Sequence, residues 1–420
     1  MALREERTEG LTIKQNMLWN SFGSLISLGC QWVITVLVAR LANGYDSAGV
    51  YSLAMSVYGI FTPLAQYRLY TYQVSDVKGE YTIGEYLSFR LISTAAALVL
   101  TIAYSLVTCS FSTIPAILLY GLYKTAGLII DVFHGADQVH HRMDYIGKSL
   151  AFQGILSLLA FVILFTTTSS LEVALIGMIL ATCCVGFFYD YPRTVKLERF
   201  NIGITFDRAK KLAMGCASIV IAGIACSAAP SIPRQYVSAT LGNAALGAYA
   251  SMAAPVAIIQ MGVCYIYNPL LSYFSESYLG KDYKRFSQLF LITILGTALI
   301  GVVCGALLNT LGARFLIFVY GDSISSYLYL MRPLVFLAIL TGLMWFVNDL
   351  LIAIRSFRAT LVGSILALLI SMVITIPTVT IFGLDGITIA SALACFAGVV
   401  YMIAALACRA KAHFVGSSVD

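Results

Sequence analysis

The chain has 420 residues, 60% hydrophobic and 11% charged, with 26 Lys and Arg against 20 Asp and Glu. So apolar a composition excludes an ordinary soluble domain and fits a stack of lipid-facing helices. The formal net charge of +6 sits in the gaps between apolar runs, so no nucleic-acid partner is needed to explain it.

A helix crossing the roughly 30 Å hydrocarbon layer needs about 20 apolar residues, and about twelve runs qualify. The first six are predicted near 17–39, 48–70, 87–108, 113–133, 149–166 and 171–189. The second six are predicted near 212–239, 244–269, 288–311, 327–354, 360–381 and 386–408. The longest inner gap, 190–211, separates them. The expected organisation is therefore a half over 1–190, a linker over 191–211 and a half over 212–420.

Orientation follows from Lys and Arg, which concentrate on the cytoplasmic side. With the N-terminus inside, the inner segments collect Arg4, Arg7, Lys14, Arg68, Lys78, Arg90, Arg142 and Lys148 from the first half. Arg193, Lys196, Arg199, Arg208, Lys210 and Lys211 come from the linker region, and Lys281, Lys284, Arg285, Arg355, Arg358, Arg409 and Lys411 follow. Both termini are expected in the cytoplasm. Residues 1–16 are charged and the first apolar run is too long for a signal-peptide core, so no cleavable secretion signal is expected. The ten cysteines form no CxxC pair, and His134, His140 and His141 suit a solvated loop better than a metal site.

The segment Ala48-Gly49-Val50-Tyr51-Ser52-Leu53-Ala54-Met55 resembles Leu246-Gly247-Ala248-Tyr249-Ala250-Ser251-Met252. Each copy follows the first outer turn of its half. Six spans per half keep the halves in one orientation, a parallel repeat of the kind found in transporters that bind substrate between halves and rock them. Polar stripes recur at helical spacing: Asn20, Ser24, Ser27, Gln31 and Thr35 in the first span, and Ser52, Ser56, Gly59, Pro63, Gln66 and Tyr70 in the second. Ser364, Ser371, Thr375 and Thr378 form another in the eleventh. Each stripe fits either close helix packing or a wet cleft.

Charges inside the spans are costly and point to function. Lys124 lies mid-span in the fourth, on a face with Tyr120, Gly127, Asp131 and His134. It can serve a cavity, snorkel, or pair with Asp131. Arg234 follows Pro230 and Pro233, where a broken helix would free backbone groups. Arg40 and Arg332 lie near outer span ends, where interfacial arginine is ordinary. Asp131 and Asp349 are the two acidic residues placed within the hydrocarbon zone. Either can carry a proton or a cation, or pair with a loop arginine. Arg40, Lys124, Arg234, Gln31, Gln66 and Tyr120 are the cavity candidates. Arginine and lysine attract phosphate oxygens, while Tyr, Gln and Asn suit sugars. Catalysis is not indicated: Gly147-Lys148-Ser149 lacks the glycine that a phosphate loop needs at position 142, and no outer gap is larger than roughly 312–326.

Three stretches resemble bacterial Wzx-type oligosaccharide flippases of the multidrug/oligosaccharidyl-lipid/polysaccharide (MOP) exporter superfamily. They are Val38-Ala39-Arg40-Leu41 into Ala48-Gly49-Val50-Tyr51-Ser52-Leu53, then Tyr72-Gln73-Val74-Ser75-Asp76-Val77-Lys78, then Asp131-Val132-Phe133-His134-Gly135-Ala136-Asp137-Gln138 with Arg142-Met143-Asp144-Tyr145-Ile146-Gly147-Lys148-Ser149. The likeness is sharpest over 14–150. One departure is Tyr70-Thr71, where the family often carries Arg-Asn; Arg68 lies two residues earlier.

The resemblance implies an all-α membrane protein of two pseudo-symmetric six-helix bundles forming a V-shaped alternating-access transporter. It implies inner-to-outer-leaflet movement, across the bacterial cytoplasmic membrane, of undecaprenyl-pyrophosphate-linked oligosaccharide for O-antigen (lipopolysaccharide), capsule or similar surface polysaccharide. The partners implied are that lipid-linked oligosaccharide, membrane lipids, and the polymerase and glycosyltransferases of the same pathway. No cofactor is implied beyond H+ or Na+ coupling. A MATE-like drug or cation exporter and a peptidoglycan lipid-precursor flippase of the same superfamily are the alternatives.

Overall fold

The computed structural model describes residues 11–42, 44–76, 79–197 and 201–415. Arg4, Arg7, Lys78 and Arg199, counted above among the inner cations, lie outside these. Among the described residues twelve helices are long and apolar enough to cross a membrane: Lys14–Leu41, Asp46–Ser75, Ile83–Thr108, Phe111–Val139, Met143–Thr168 and Leu171–Leu197 as spans 1 to 6. Spans 7 to 12 are Phe206–Ala228, Asn243–Leu279, Tyr283–Tyr320, Asp322–Ala353, Phe357–Phe382 and Asp385–Ala410. The protein is an all-α, multi-pass membrane protein.

Helices outrun the apolar runs that predict them. The gap expected over 312–326 is helical through Ala313–Tyr320 and a 3-10 stretch, Asp322–Leu330. Likewise Tyr191–Leu197 and Leu271–Leu279 carry spans 6 and 8 past their apolar cores. Hydropathy reports what faces lipid, whereas backbone hydrogen bonding keeps amphipathic ends helical beyond it.

The chain divides into two compact units, one holding 1–34, 64–102 and 118–215, the other 35–63, 103–117 and 216–420. In the first, Leu69, Tyr86, Leu87, Phe89, Val132 and Phe133 form a buried cluster. Spans 1 and 5 cross there at Gly23 and Gly147: a Cβ on Gly23 would lie 2.1 Å from the Gly147 carbonyl oxygen, and one on Gly147 would lie 2.2 Å from that of Trp19. Gly147 therefore serves a helix crossing, which accounts for the glycine of the Gly-Lys-Ser run.

In the second unit, Phe274, Phe286, Phe346, Val347, Leu350 and Leu351 form a buried aromatic and aliphatic cluster. The two copies of the repeated segment meet there. A Cβ on Gly49 would lie 1.8 Å from the Asn243 carbonyl oxygen, and one on Gly247 would lie 2.0 Å from that of Tyr45. Only glycine permits backbones so close.

Two spans are interrupted. Span 2 breaks at Tyr67 and Arg68, both left-handed with φ of 49° and 53°, although neither is glycine or beside a proline. Span 7 ends at Ala228 and resumes as the short helix Ile232–Thr240, the break expected at Pro230 and Pro233. Freed carbonyls at both breaks find donors. Arg90 Nη1 donates to the carbonyls of Ala65 (2.9 Å) and Gln66 (2.6 Å), and Ser93 Oγ also donates to Ala65 (3.0 Å). At the second break Ser371 Oγ donates to the Ala229 carbonyl (2.6 Å) and Ser56 Oγ to that of Ser231 (3.3 Å). Ser371 and Ser56 are thus caps in dry helix contacts. Ser364, Ser371, Thr375 and Thr378 are all buried, which places the eleventh-span stripe in packing rather than in a wet cleft.

Candidate functional site

The first candidate centre lies wholly within the second unit. A cavity of about 240 Å³ is walled by Thr35, Ala48, Tyr51, Ser52 and Met55, by Arg234, and by residues of span 8 from Tyr249 to Gln260. The helix Ile232–Thr240 brings Arg234 there, and the hydrogen bond from Tyr104 to Gln235 Oε1 (2.6 Å) anchors the neighbouring residue. Arg234 is half-buried, and among the described residues no acid lines the cavity. Alanines and two tyrosines form flat apolar walls, while Thr35, Ser52, Ser251 and Gln260 add hydrogen-bonding groups. A lone guanidinium in such surroundings can hold an anionic oxygen strongly because little water competes. Tyr51 and Tyr249, equivalent positions of the repeat, are site residues that sequence reasoning left out. Their matching places in the two copies were the available signal.

The second centre lies in the first unit. Lys124 Nζ donates to Gln31 Oε1 (2.8 Å), and its ammonium lies 5.6 Å and 5.2 Å from the ring centres of Tyr120 and Tyr123. Gln31 Nε2 in turn reaches Ser27 Oγ (3.4 Å). Gln31, Lys124 and Tyr120 are therefore brought together. Lys124 is half-buried and among the described residues has no ion-pair partner; cation–π contacts contribute about 0.5–2 kcal/mol each.

Asp131 does not pair with Lys124. Its Oδ2 accepts from Arg90 Nη2 at 2.8 Å, and Arg90 is only 1% exposed. Arg90 was counted among inner cations but is an interior group that ties Asp131 to the break in span 2. Gln66 joins it only through its backbone carbonyl, its side chain being exposed. Arg40 is exposed at the end of span 1, and its Nη1 packs over Gly321. Asp349 Oδ2 accepts the Tyr267 hydroxyl (2.9 Å). Arg332 Nε donates to Asn309 Oδ1 (3.1 Å).

Asp131 and Asp349 are not the only acidic residues inside spans. Glu85, Asp137, Asp144 and Asp190 are also there and are buried, whereas Asp131 and Asp349 are half-buried. They lie near span ends, where mean hydropathy is low enough to suggest a loop while helix packing still excludes water.

The stretches that carry the sequence resemblance meet each other. Gln73 Nε2 donates to the Val132 carbonyl (3.0 Å) and its amide lies across Gly135, where a Cβ would be 2.4 Å from Oε1. Tyr70 donates to Gln138 Oε1. Asp76 accepts from the Glu80 and Tyr81 amides (2.9 and 3.0 Å) and from the Tyr86 hydroxyl (2.9 Å). Burial would raise the Asp76 carboxyl, but these donors outweigh it and hold it below its ordinary value of 3.8. These motif residues build the joint between the end of span 2 and span 4.

Comparison with known proteins places this geometry in a fold. An inward-facing multidrug-resistance MATE-family transporter of the MOP superfamily superposes with a TM-score of 0.72, covering 96% of this chain and all of that one at 12% identity. The lipid II flippase MurJ in an inward closed conformation also gives 0.72, at 11% identity, over 93% of this chain and 87% of that one. The chain has the fold of the MOP superfamily. In sequence, the capsular polysaccharide biosynthesis protein CapF of Staphylococcus aureus is 21% identical over 243 residues, 57% of this chain and 60% of that protein. The match thus spans less than two thirds of the relative. No family model matches the chain.

Proposed function

We propose that this chain is a flippase that carries a polyprenyl-pyrophosphate-linked oligosaccharide across the bacterial cytoplasmic membrane for surface polysaccharide assembly. The observation that carries this reading is the Arg234 cavity: one fixed cation, no lining acid, two tyrosine faces and several hydroxyl or amide groups. Such a surface can replace hydration around a phosphate and stack against a sugar, while a prenyl tail stays in lipid. The partial sequence likeness to the capsule protein CapF supports a polysaccharide cargo. Lys124, bound to Gln31 and framed by two tyrosines, is a second cationic station of similar chemistry. Spreading the charges over stations, rather than gathering them in one cluster, keeps release fast. Movement of charge would be coupled to H+ or Na+.

A drug or cation exporter is the alternative that the MATE likeness in fold keeps open; its cargo would call for acids in the cavity. The discriminating experiment is complementation in a host lacking its own flippase. Arg234→Ala and Lys124→Ala are expected to insert normally yet lose surface glycan at least tenfold. Undiminished glycan in both, or glycan-independent drug efflux, would overturn the reading.

A further inference from the structure

Three spans of the first unit converge on a buried group that the cargo reading leaves unused. Span 4 supplies His134 and Asp137, span 6 supplies Asp190, and span 5 supplies Ser149 and Gln153. His134, Asp137 and Asp190 are 5%, 1% and 1% exposed. Asp190 Oδ2 accepts the Ser149 hydroxyl (2.8 Å), which itself accepts from Gln153 Nε2 (3.0 Å). The other Asp190 oxygen, Oδ1, faces His134 Nε2 at 3.5 Å. Neither of those two atoms makes a hydrogen bond, and Asp137 Oδ1 is likewise buried with no hydrogen-bond partner.

The charge balance is short. Among the described residues no Lys or Arg lies within ion-pair distance of Asp137 or Asp190, and the arginine of this interior, Arg90, is bound to Asp131. Two buried carboxylates facing one neutral imidazole would each carry an uncompensated charge, which costs several kcal/mol per ion. The donors do not converge as a metal requires: no group of three His, Cys, Asp or Glu is placed to hold an ion among the described residues. What the geometry lacks is a hydrogen shared between His134 Nε2 and Asp190 Oδ1 and one for the partnerless Asp137 Oδ1.

We propose that His134, Asp137 and Asp190 form a proton-binding site holding one exchangeable proton, shared between span 4 and span 6. The proton comes from water and returns to it, and no other bond is made or broken. A cavity of about 170 Å³ lined by Gln73, Asp76, Ala136 and His140 lies against span 4 at residues flanking Asp137, the side from which water would reach it. The charged and titratable groups facing the site are Asp131 on span 4 itself, Arg142, Asp144 and Lys148 at the start of span 5, and Tyr189 and Arg193 on span 6. Arg90 on span 3, Tyr70 on span 2 and His140 on span 4 lie around it too. Arg142 and Lys148 are both engaged by Asp144, at 2.9 and 3.3 Å, which leaves the central pair of acids to the proton. Because the three residues belong to two spans, 4 and 6, gaining or losing that proton alters how those spans hold together.

The proposal does not depend on the cargo, so it stands or falls separately from the flippase reading. The test is pH-difference infrared spectroscopy on the purified full chain in nanodiscs, in H2O and D2O. The wild type should show a titrating carboxylic-acid carbonyl band that shifts in D2O. Asp137→Asn or Asp190→Asn, each an isosteric copy of a protonated acid, should remove it, and His134→Gln should displace its titration midpoint by at least one pH unit. If one Asn variant fails to fold, the other carries the test. Absence of a titrating band in the wild type, or its persistence unchanged in the folded variants, overturns the assignment.

Discussion

The two interrupted spans solve one problem in opposite ways. At Tyr67 and Arg68 in the first unit, a fully buried guanidinium bridges two freed carbonyls and then spends its remaining edge on Asp131. Between Ala228 and Ile232 in the second unit, two neutral serine hydroxyls cap single carbonyls. The first break has no proline, and each left-handed non-glycine residue costs about 1–2 kcal/mol, so it needs a strong, multidentate cap. The second break has Pro230 and Pro233, which set it covalently and leave fewer backbone donors to place. A charged cap makes a break dependent on one residue. A neutral, divided cap leaves the adjacent Arg234 free to serve a cavity.

Removing Arg90 gives the largest expected effect. Arg90→Met leaves two carbonyls without their strongest donor and Asp131 unpaired, costing about 3–5 kcal/mol. Thermal unfolding in detergent should fall steeply, and Arg90→Lys should recover only part, since an ammonium cannot fork as a guanidinium does. A variant as stable as wild type would show that the first break does not need its cap. Next in size, Gly49→Ala or Gly247→Ala pushes a methyl into a facing backbone carbonyl at the repeat contact. Overpacking of this kind costs about 1–3 kcal/mol, read as a lower unfolding temperature.

Ser371→Ala, at the neutral cap, should cost about 1 kcal/mol, the value of one hydrogen bond. Ser56→Ala, with a longer contact, should cost less. The contrast between Arg90→Met and Ser371→Ala, measured side by side, is the comparison in numerical form. The smallest effect concerns pH. Asp76 is held below its ordinary value, so its contribution is complete above about pH 4 and fades as pH falls through its folded value. Asp76→Asn should lower stability at pH 7 by about 1 kcal/mol and narrow the difference from wild type in acid.

Much of this is legible in the chain itself. Twelve spans follow from apolar length, the break near Pro230 from proline, and the meeting of Gly49 with Gly247 is foreshadowed by the repeat. The break at Tyr67 is invisible because nothing local forces it; a residue 23 positions on, Arg90, stabilises it. Arg90 reads as a loop cation because hydropathy does not distinguish a charge at a span end from one folded inside, and the buried Asp137 and Asp190 are hidden in sequence for the same reason. Lys124 lies in mid-span, as the apolar run implies, yet its partner is Gln31 rather than Asp131, since partner choice across helices depends on rotation that spacing along one helix does not specify.

The most direct measurement for the central claim is binding of a polyprenyl-pyrophosphate saccharide to purified protein in nanodiscs, wild type against Arg234→Ala. The account predicts salt-sensitive binding that weakens at least tenfold in the variant, with Arg234→Lys intermediate. Equal affinity in all three, or no binding to the wild type, would contradict it.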